Sequence, residues 1–146
     1  MQDAFGGILN IILIAVFLII IEGILGLVVN YSKAFRMKNI VISNIERYEG
    51  YGCFSDKANG NTDCRNKIMD GAKSIGYAPT ALLHCDSGNL YVNSDSLFCY
   101  KELVSSSGNN RIYTIVTQVD INIPIINRIM GLSFFQVHGD TRVIKR

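Results

Sequence analysis

From Ala4 to Val29 the chain is apolar almost without interruption: the run AFGGILNIILIAVFLIIIEGILGLVV is broken only by Asn10 and Glu22. A helix needs roughly 20 such residues to cross the hydrocarbon core of a bilayer. The run exceeds that length, so a membrane-spanning helix is expected here. A cleaved secretory signal is the rival reading. It is disfavoured because Met1-Gln-Asp carries no Lys or Arg and no A-x-A site closes the run. The run is also about twice as long as an ordinary signal h-region.

Beyond Val29 the helical pattern does not stop. Ala34, Met37, Val41, Ile45 and Tyr48 recur at spacings of three and four, one stripe of a helix. No Pro intervenes between Met1 and Arg47, and every Gly in that stretch lies in the apolar run, where membrane helices tolerate it. One continuous helix of about 60 Å or more is therefore expected, at 1.5 Å per residue. Its first half lies in lipid and its second half presents an amphipathic face. The chain of 146 residues, 49% hydrophobic with the excess at this end, then has room for one small domain. The division expected is 1–48 for the transmembrane and assembly helix and 49–146 for an α+β domain.

Glu49-Gly-Tyr-Gly52 ends the long helix, and the Gly/Asn/Asp-rich run 55–62 reads as a loop. Thr62 or Asp63 can cap a short helix with Ile68, Met69, Ala72 and Ile75 on one face and Gly76 as its stop. Strands are expected at 81–85, 90–92 and 97–103, separated by turns at 86–89 and 93–95. Tyr113, Ile115, Thr117, Val119, Ile121 and Ile123 alternate with polar residues, as a half-buried strand does. The last segment, 132–144, sets Phe135, Val137, Gly139, Thr141 and Val143 on one face against Gln136, His138, Asp140 and Arg142. The fold class is thus a long N-terminal helix packed on a small antiparallel sheet with one short helix.

Two signals place this domain on opposite sides of the membrane. Lys33, Arg36 and Lys38 follow the apolar run and suit contact with lipid headgroups, and a basic flank ordinarily stays cytoplasmic. Against that stand four cysteines, Cys53, Cys64, Cys85 and Cys99, with no C-x-x-C pair. Such a count in a small domain suits disulfides in an oxidising compartment. We give the cysteines precedence and expect an extracytoplasmic domain. Short loops favour Cys53 with Cys64 and Cys85 with Cys99, although four cysteines allow three pairings. A zinc site drawn from His84, Cys85, Cys99 and His138 lacks the usual paired spacing. Free buried thiols are the remaining alternative.

Other chemistry finds little purchase. His84, Cys85 and Asp86 are adjacent, but neighbours on a strand point to opposite faces and make no nucleophile and base pair. No P-loop, G-x-S-x-G or H-E-x-x-H occurs. No enzyme activity, cofactor or metal is expected. The formal net charge of +2, without a basic patch interleaved with aromatics, gives no reason to expect nucleic acid. The Asn30-Tyr-Ser32 glycosylation triplet abuts the membrane and is read as accidental.

Glu22 is the exception that needs a reason. A carboxylate in lipid is costly, so such groups face other helices, pair, or become neutral. Gly23 and Gly26 beside it would let another backbone approach that face. A contact between subunits that fixes register is the functional reading. A polar side chain that snorkels and a proton relay are the alternatives.

The run LIIIEGILGLVVNYSKAFRMKNIVISNIERYEGY, a buried Glu in an apolar helix that runs on into an amphipathic one, resembles type IV pilin-like proteins. More narrowly it is similar to the helix of TadE-like pseudopilins from tight-adherence pilus systems. The ending TIVTQVDINIPIINRIMGL, then FFQVHGDTRV, is similar to that family's close of strand, Pro-containing loop and strand. The leader differs. No basic residues precede the run, and counting back from Glu22 reaches Leu18 after Phe17, where prepilin cleavage would need a small residue. The resemblance implies a structural subunit of a cell-surface filament or of its assembly machinery. Its partners would be like or related subunits through the helix, and lipid. A stand-alone single-pass membrane protein with a ligand- or partner-binding domain is the alternative.

Overall fold

The computed structural model describes residues 2–50, 52–54, 62–79, 85, 90–92, 95–106, 108–121 and 134–145, with side chains from Gly6 onward. The chain is α+β, as the pattern predicts: α1 (Gln2–Arg47), α2 (Asp63–Ile75), β1 (Tyr91–Val92), β2 (Cys99–Val104), β3 (Asn110–Asp120), β4 (Phe134–Asp140) and β5 (Ile144–Lys145). The expected strand residues 81–84, the turns at 86–89 and 93–94, the loop 55–61 and the connection 122–133 lie outside the described residues.

The stripe expected on the second half of α1 is the core. Ala34, Met37, Val41 and Ile45 are fully buried, and Tyr48 packs beside them. α2 covers one flank of α1 with Ile68 and Ala72, and the sheet covers another with Tyr113, Ile115 and Val119. Two glycines permit the close approach. A Cβ on Gly71 of α2 would lie 2.7 Å from Ile40 Cγ2, and one on Gly139 of β4 would lie 2.7 Å from Lys38 Cδ. α2 ends at Gly76, in the left-handed region at φ 61°. There Tyr77 N–H donates back to Ala72 O at 2.9 Å, the pairing that satisfies a helix C-terminus when Gly follows it.

The sheet is antiparallel in the order β1-β2-β3-β4, with β5 also paired to β3. β3 departs from the half-buried expectation: Val116 and Gln118 are as buried as Ile115 and Thr117. One face of β3 meets α1. The other carries a second small core of Val116 and Cys99 with Cys85 and Leu90. The Cys85–Cys99 bridge clamps the chain over that face.

The last segment is two strands, and this corrects the single face expected for it. Thr114 pairs with Asp140, whereas Arg111 pairs with Ile144, so one extra residue is accommodated between β4 and β5. A bulge of this kind exchanges inside for outside. Beyond it Ile144 is 6% exposed and Val143 48%, the reverse of the expected alternation.

Cross-links tie the elements to α1. Cys53–Cys64 joins the segment after α1 to the start of α2. Arg65 of α2 makes a two-pronged pair with Asp95 at 2.8 and 2.7 Å. Glu46 accepts from the Arg142 backbone N–H at 2.8 Å and pairs with its guanidinium.

Candidate membrane and assembly site

α1 divides at Asn30. From there upward one face is covered by the domain; below, among the described residues, the helix is largely exposed, with Asp120 and Ile121 alongside the turns nearest Asn30. The large apolar side chains from Ile8 to Val29, Leu27 apart, are between 43% (Ile21) and 69% (Leu9) exposed. A core helix of a water-soluble domain buries its apolar face. Here the most apolar window of α1 has no share of its residues buried, and the helix is long and apolar enough to cross a membrane.

The domain meets α1 near the boundary at two points, and a third contact braces the end of β3 behind them. Asn30 Nδ2 donates to Asp120 O at 3.3 Å, at the end of β3. One turn higher, Thr117 Oγ1 donates to Ala34 O at 3.0 Å, both groups buried. Tyr77 completes the set: its hydroxyl donates to Gln118 O at 3.0 Å and accepts from Gln118 N–H at 3.1 Å. The last residue pair between β2 and β3 is Cys99 with Val116. Gln118 therefore lies past the end of its neighbour, and one phenol satisfies both of its backbone groups. Burial pushes that phenol up to about 12; the Gln118 contact opposes the shift and Asp120 adds to it.

Glu22 is exposed on the uncovered half of α1. It lines a cleft of about 250 Å³ with Gly23, Gly26, Leu27, Asn30, Asp120 and Ile121. The expected group of Glu22, Gly23 and Gly26 is thus brought together at the junction of helix and domain. Among the described residues, a Cβ on Gly26 would meet nothing within 4 Å.

The three basic residues expected at the membrane surface differ in setting. Lys33 lines a separate cleft of about 190 Å³ with Gly76, Tyr77 and Gln118. It faces the C-terminus of α2, where a cation is favoured. Arg36 is exposed. Lys38 lays its stem along Gly139 and holds its ammonium 4.2 Å from the centre of the Phe35 ring.

Both expected disulfides are formed, Cys53–Cys64 and Cys85–Cys99, and no cysteine is free. The second bridge removes two thiolates from the zinc alternative. Among the described residues no three His, Cys, Asp or Glu side chains are grouped to hold a metal. The contacts of Asn30, Thr117 and Tyr77 were not anticipated. Polar residues in long-range pairs leave no periodic trace, and Asn30 had a signal only as the end of an apolar run.

Comparison of the chain with protein-family models, curated proteins and solved structures returned no match.

Proposed function

We propose that this chain is a pilin- or pseudopilin-like structural subunit of a cell-surface filament or of the machinery that assembles it. The observation that carries the reading is the division of α1. One continuous helix has a half fixed firmly to a domain and a half whose large apolar side chains, Leu27 apart, are exposed. The same surface suits lipid before assembly and the helices of like or related subunits afterwards. Glu22, beside the exposed Gly26, is a feature on that surface able to distinguish one register from another.

The domain is placed outside the cytoplasm in this reading. All four cysteines are used in two bridges, which suits an oxidising compartment. Electron microscopy of sheared surface material tests the proposal. Helical filaments containing the chain are expected. Recovery of the chain solely as membrane-embedded monomers would favour a single-pass anchor for a binding domain instead.

A further inference from the structure

The uncovered surface of α1 does not end where the apolar run ends. Ile24, Val28, Tyr31 and Phe35 follow one another at spacings of four, three and four, and are 56%, 54%, 45% and 41% exposed. Lys38 comes three residues further on, its ammonium above the Phe35 ring. This stripe runs beside β4: Tyr31 lies 6.0 Å from the Phe135 ring, and Lys38 packs on Gly139. On the sheet side, by contrast, the polar boundary falls at Asn30, bonded to Asp120. The two faces of one helix therefore change from apolar to polar at different heights. Eight residues separate Asn30 from Lys38, about 12 Å along the axis.

We propose that Tyr31, Phe35 and Lys38 form a seat for the headgroups of an anionic lipid leaflet, so that the membrane surface climbs α1 to Lys38 on this face. The chemistry fits such a surface from bottom to top. Aliphatic side chains meet acyl chains, and aromatic rings lie at the level of the headgroups. The ammonium of Lys38 then reaches the phosphates above, its stem lying on Gly139 and its charge over the Phe35 ring. Lys33, turned to the C-terminus of α2, takes no part. The helix crosses obliquely as a consequence, leaning so that this face enters the lipid more deeply than the sheet side. The proposal rests on α1 as a membrane span, which the proposed function also requires, but not on filament assembly.

The chain has no Trp, so Phe35→Trp gives the full-length protein a single indole at the seat. Tyr91→Trp is the control, on the exposed edge strand β1 at the far side of the sheet from β4. Each is reconstituted at high dilution in vesicles of equal phosphatidylglycerol and phosphatidylcholine, with one or the other lipid brominated. The Phe35→Trp chain is expected to show blue-shifted emission quenched more strongly by brominated phosphatidylglycerol. The preference should fall about fivefold for Lys38→Gln, the factor equivalent to about 1 kcal/mol per basic group at an anionic surface, and less for Arg36→Gln on another face of α1. Quenching no greater than in the Tyr91→Trp chain overturns the seat, as does equal quenching by both lipids. Absence of filaments in the microscopy experiment would leave this result standing. A wild-type chain that fails to float with the vesicles would overturn the span, and with it both readings.

Discussion

Thr141 offers its side chain to Tyr113 in the place of a backbone carbonyl. The Tyr113 N–H donates to Thr141 Oγ1 at 3.0 Å, while the Thr141 N–H donates to Tyr113 O, also at 3.0 Å. The extra residue between β4 and β5 thus leaves both backbone groups of Tyr113 paired, and Ile144 can turn into the core. Thr141→Val keeps the shape and removes the acceptor. It should cost about 1 to 3 kcal/mol, the penalty of an unsatisfied buried N–H. Thr141→Ser should retain most of the stability. Denaturant unfolding of the detergent-solubilised chain, with amide exchange at Tyr113, checks both.

Tyr77 gives the fold a defined alkaline limit. Its phenol is held at about 12 against an ordinary value of 10.0, so the folded state keeps the proton that the unfolded state releases. Its contribution is fully present below pH 10 and is lost as pH rises through 12, an effect of about 2 to 3 kcal/mol. Tyr77→Phe leaves the Gln118 backbone groups without their partner and should be less stable at pH 8. The gap between wild type and variant should narrow between pH 10 and 12, the other tyrosines being common to both. A gap that stays constant across that window would refute the assignment.

The two glycines against α1 should respond differently to alanine. Gly71 lies inside α2, where Ala gains about 1 kcal/mol of helix propensity. Its new methyl, however, would sit 2.7 Å from Ile40 Cγ2, on a stiff β-branched side chain. Overpacking of about 1 to 3 kcal/mol should win, leaving a net loss. At Gly139 the nearest atom belongs to the flexible stem of Lys38, and the loss should be smaller. Thermal unfolding of the two variants side by side decides the order.

The two bridges suit an extracytoplasmic domain, and the topology that this implies is open to a direct test. A membrane-impermeant protease applied to whole cells should remove the domain beyond Asn30, and non-reducing mass spectrometry should recover Cys53 with Cys64 and Cys85 with Cys99 as linked peptides. A protected domain with reduced thiols would place it in the cytoplasm, as the basic flank alone would have it.

Periodicity made much of this legible. The stripe from Ala34 to Ile45, the face of α2 that holds Ile68 and Ala72, and the Gly76 stop stand as read, because a buried helix face repeats every three or four residues. Short loop closure likewise anticipated both disulfide pairs. The bulge at Thr141 was not legible. One inserted residue leaves the alternation looking unbroken, and its signature is a side chain standing in for a carbonyl. The double-sided burial of β3 escaped for a related reason. What covers Val116 arrives through Cys85, far away in the chain, and local alternation carries no sign of it. At the candidate site, Glu22 and its glycines announced themselves by contrast with their surroundings. Asn30 and Tyr77 act through long-range bonds and could not.

The assembly reading makes its sharpest demand on Glu22 and Gly26. Glu22→Gln keeps the shape and removes the charge, and Glu22→Leu removes the polarity as well. Insertion becomes easier when a charge leaves lipid. Assembly, by contrast, loses the contact able to specify register among interchangeable apolar side chains. Membrane yield should therefore hold or rise in both variants while high-mass surface material falls, further for Leu than for Gln. Gly26→Leu separates the chain's own packing from contact between chains. Among the described residues nothing lies within 4 Å of a Cβ at Gly26, so the added side chain should leave the domain's unfolding unchanged, yet it would obstruct a second helix approaching beside the carboxylate. Immunoblotting of membrane and sheared fractions, with unfolding of the solubilised chain as the control, measures all three variants. Undiminished surface material in every one would sink the proposal that this face holds subunits in register.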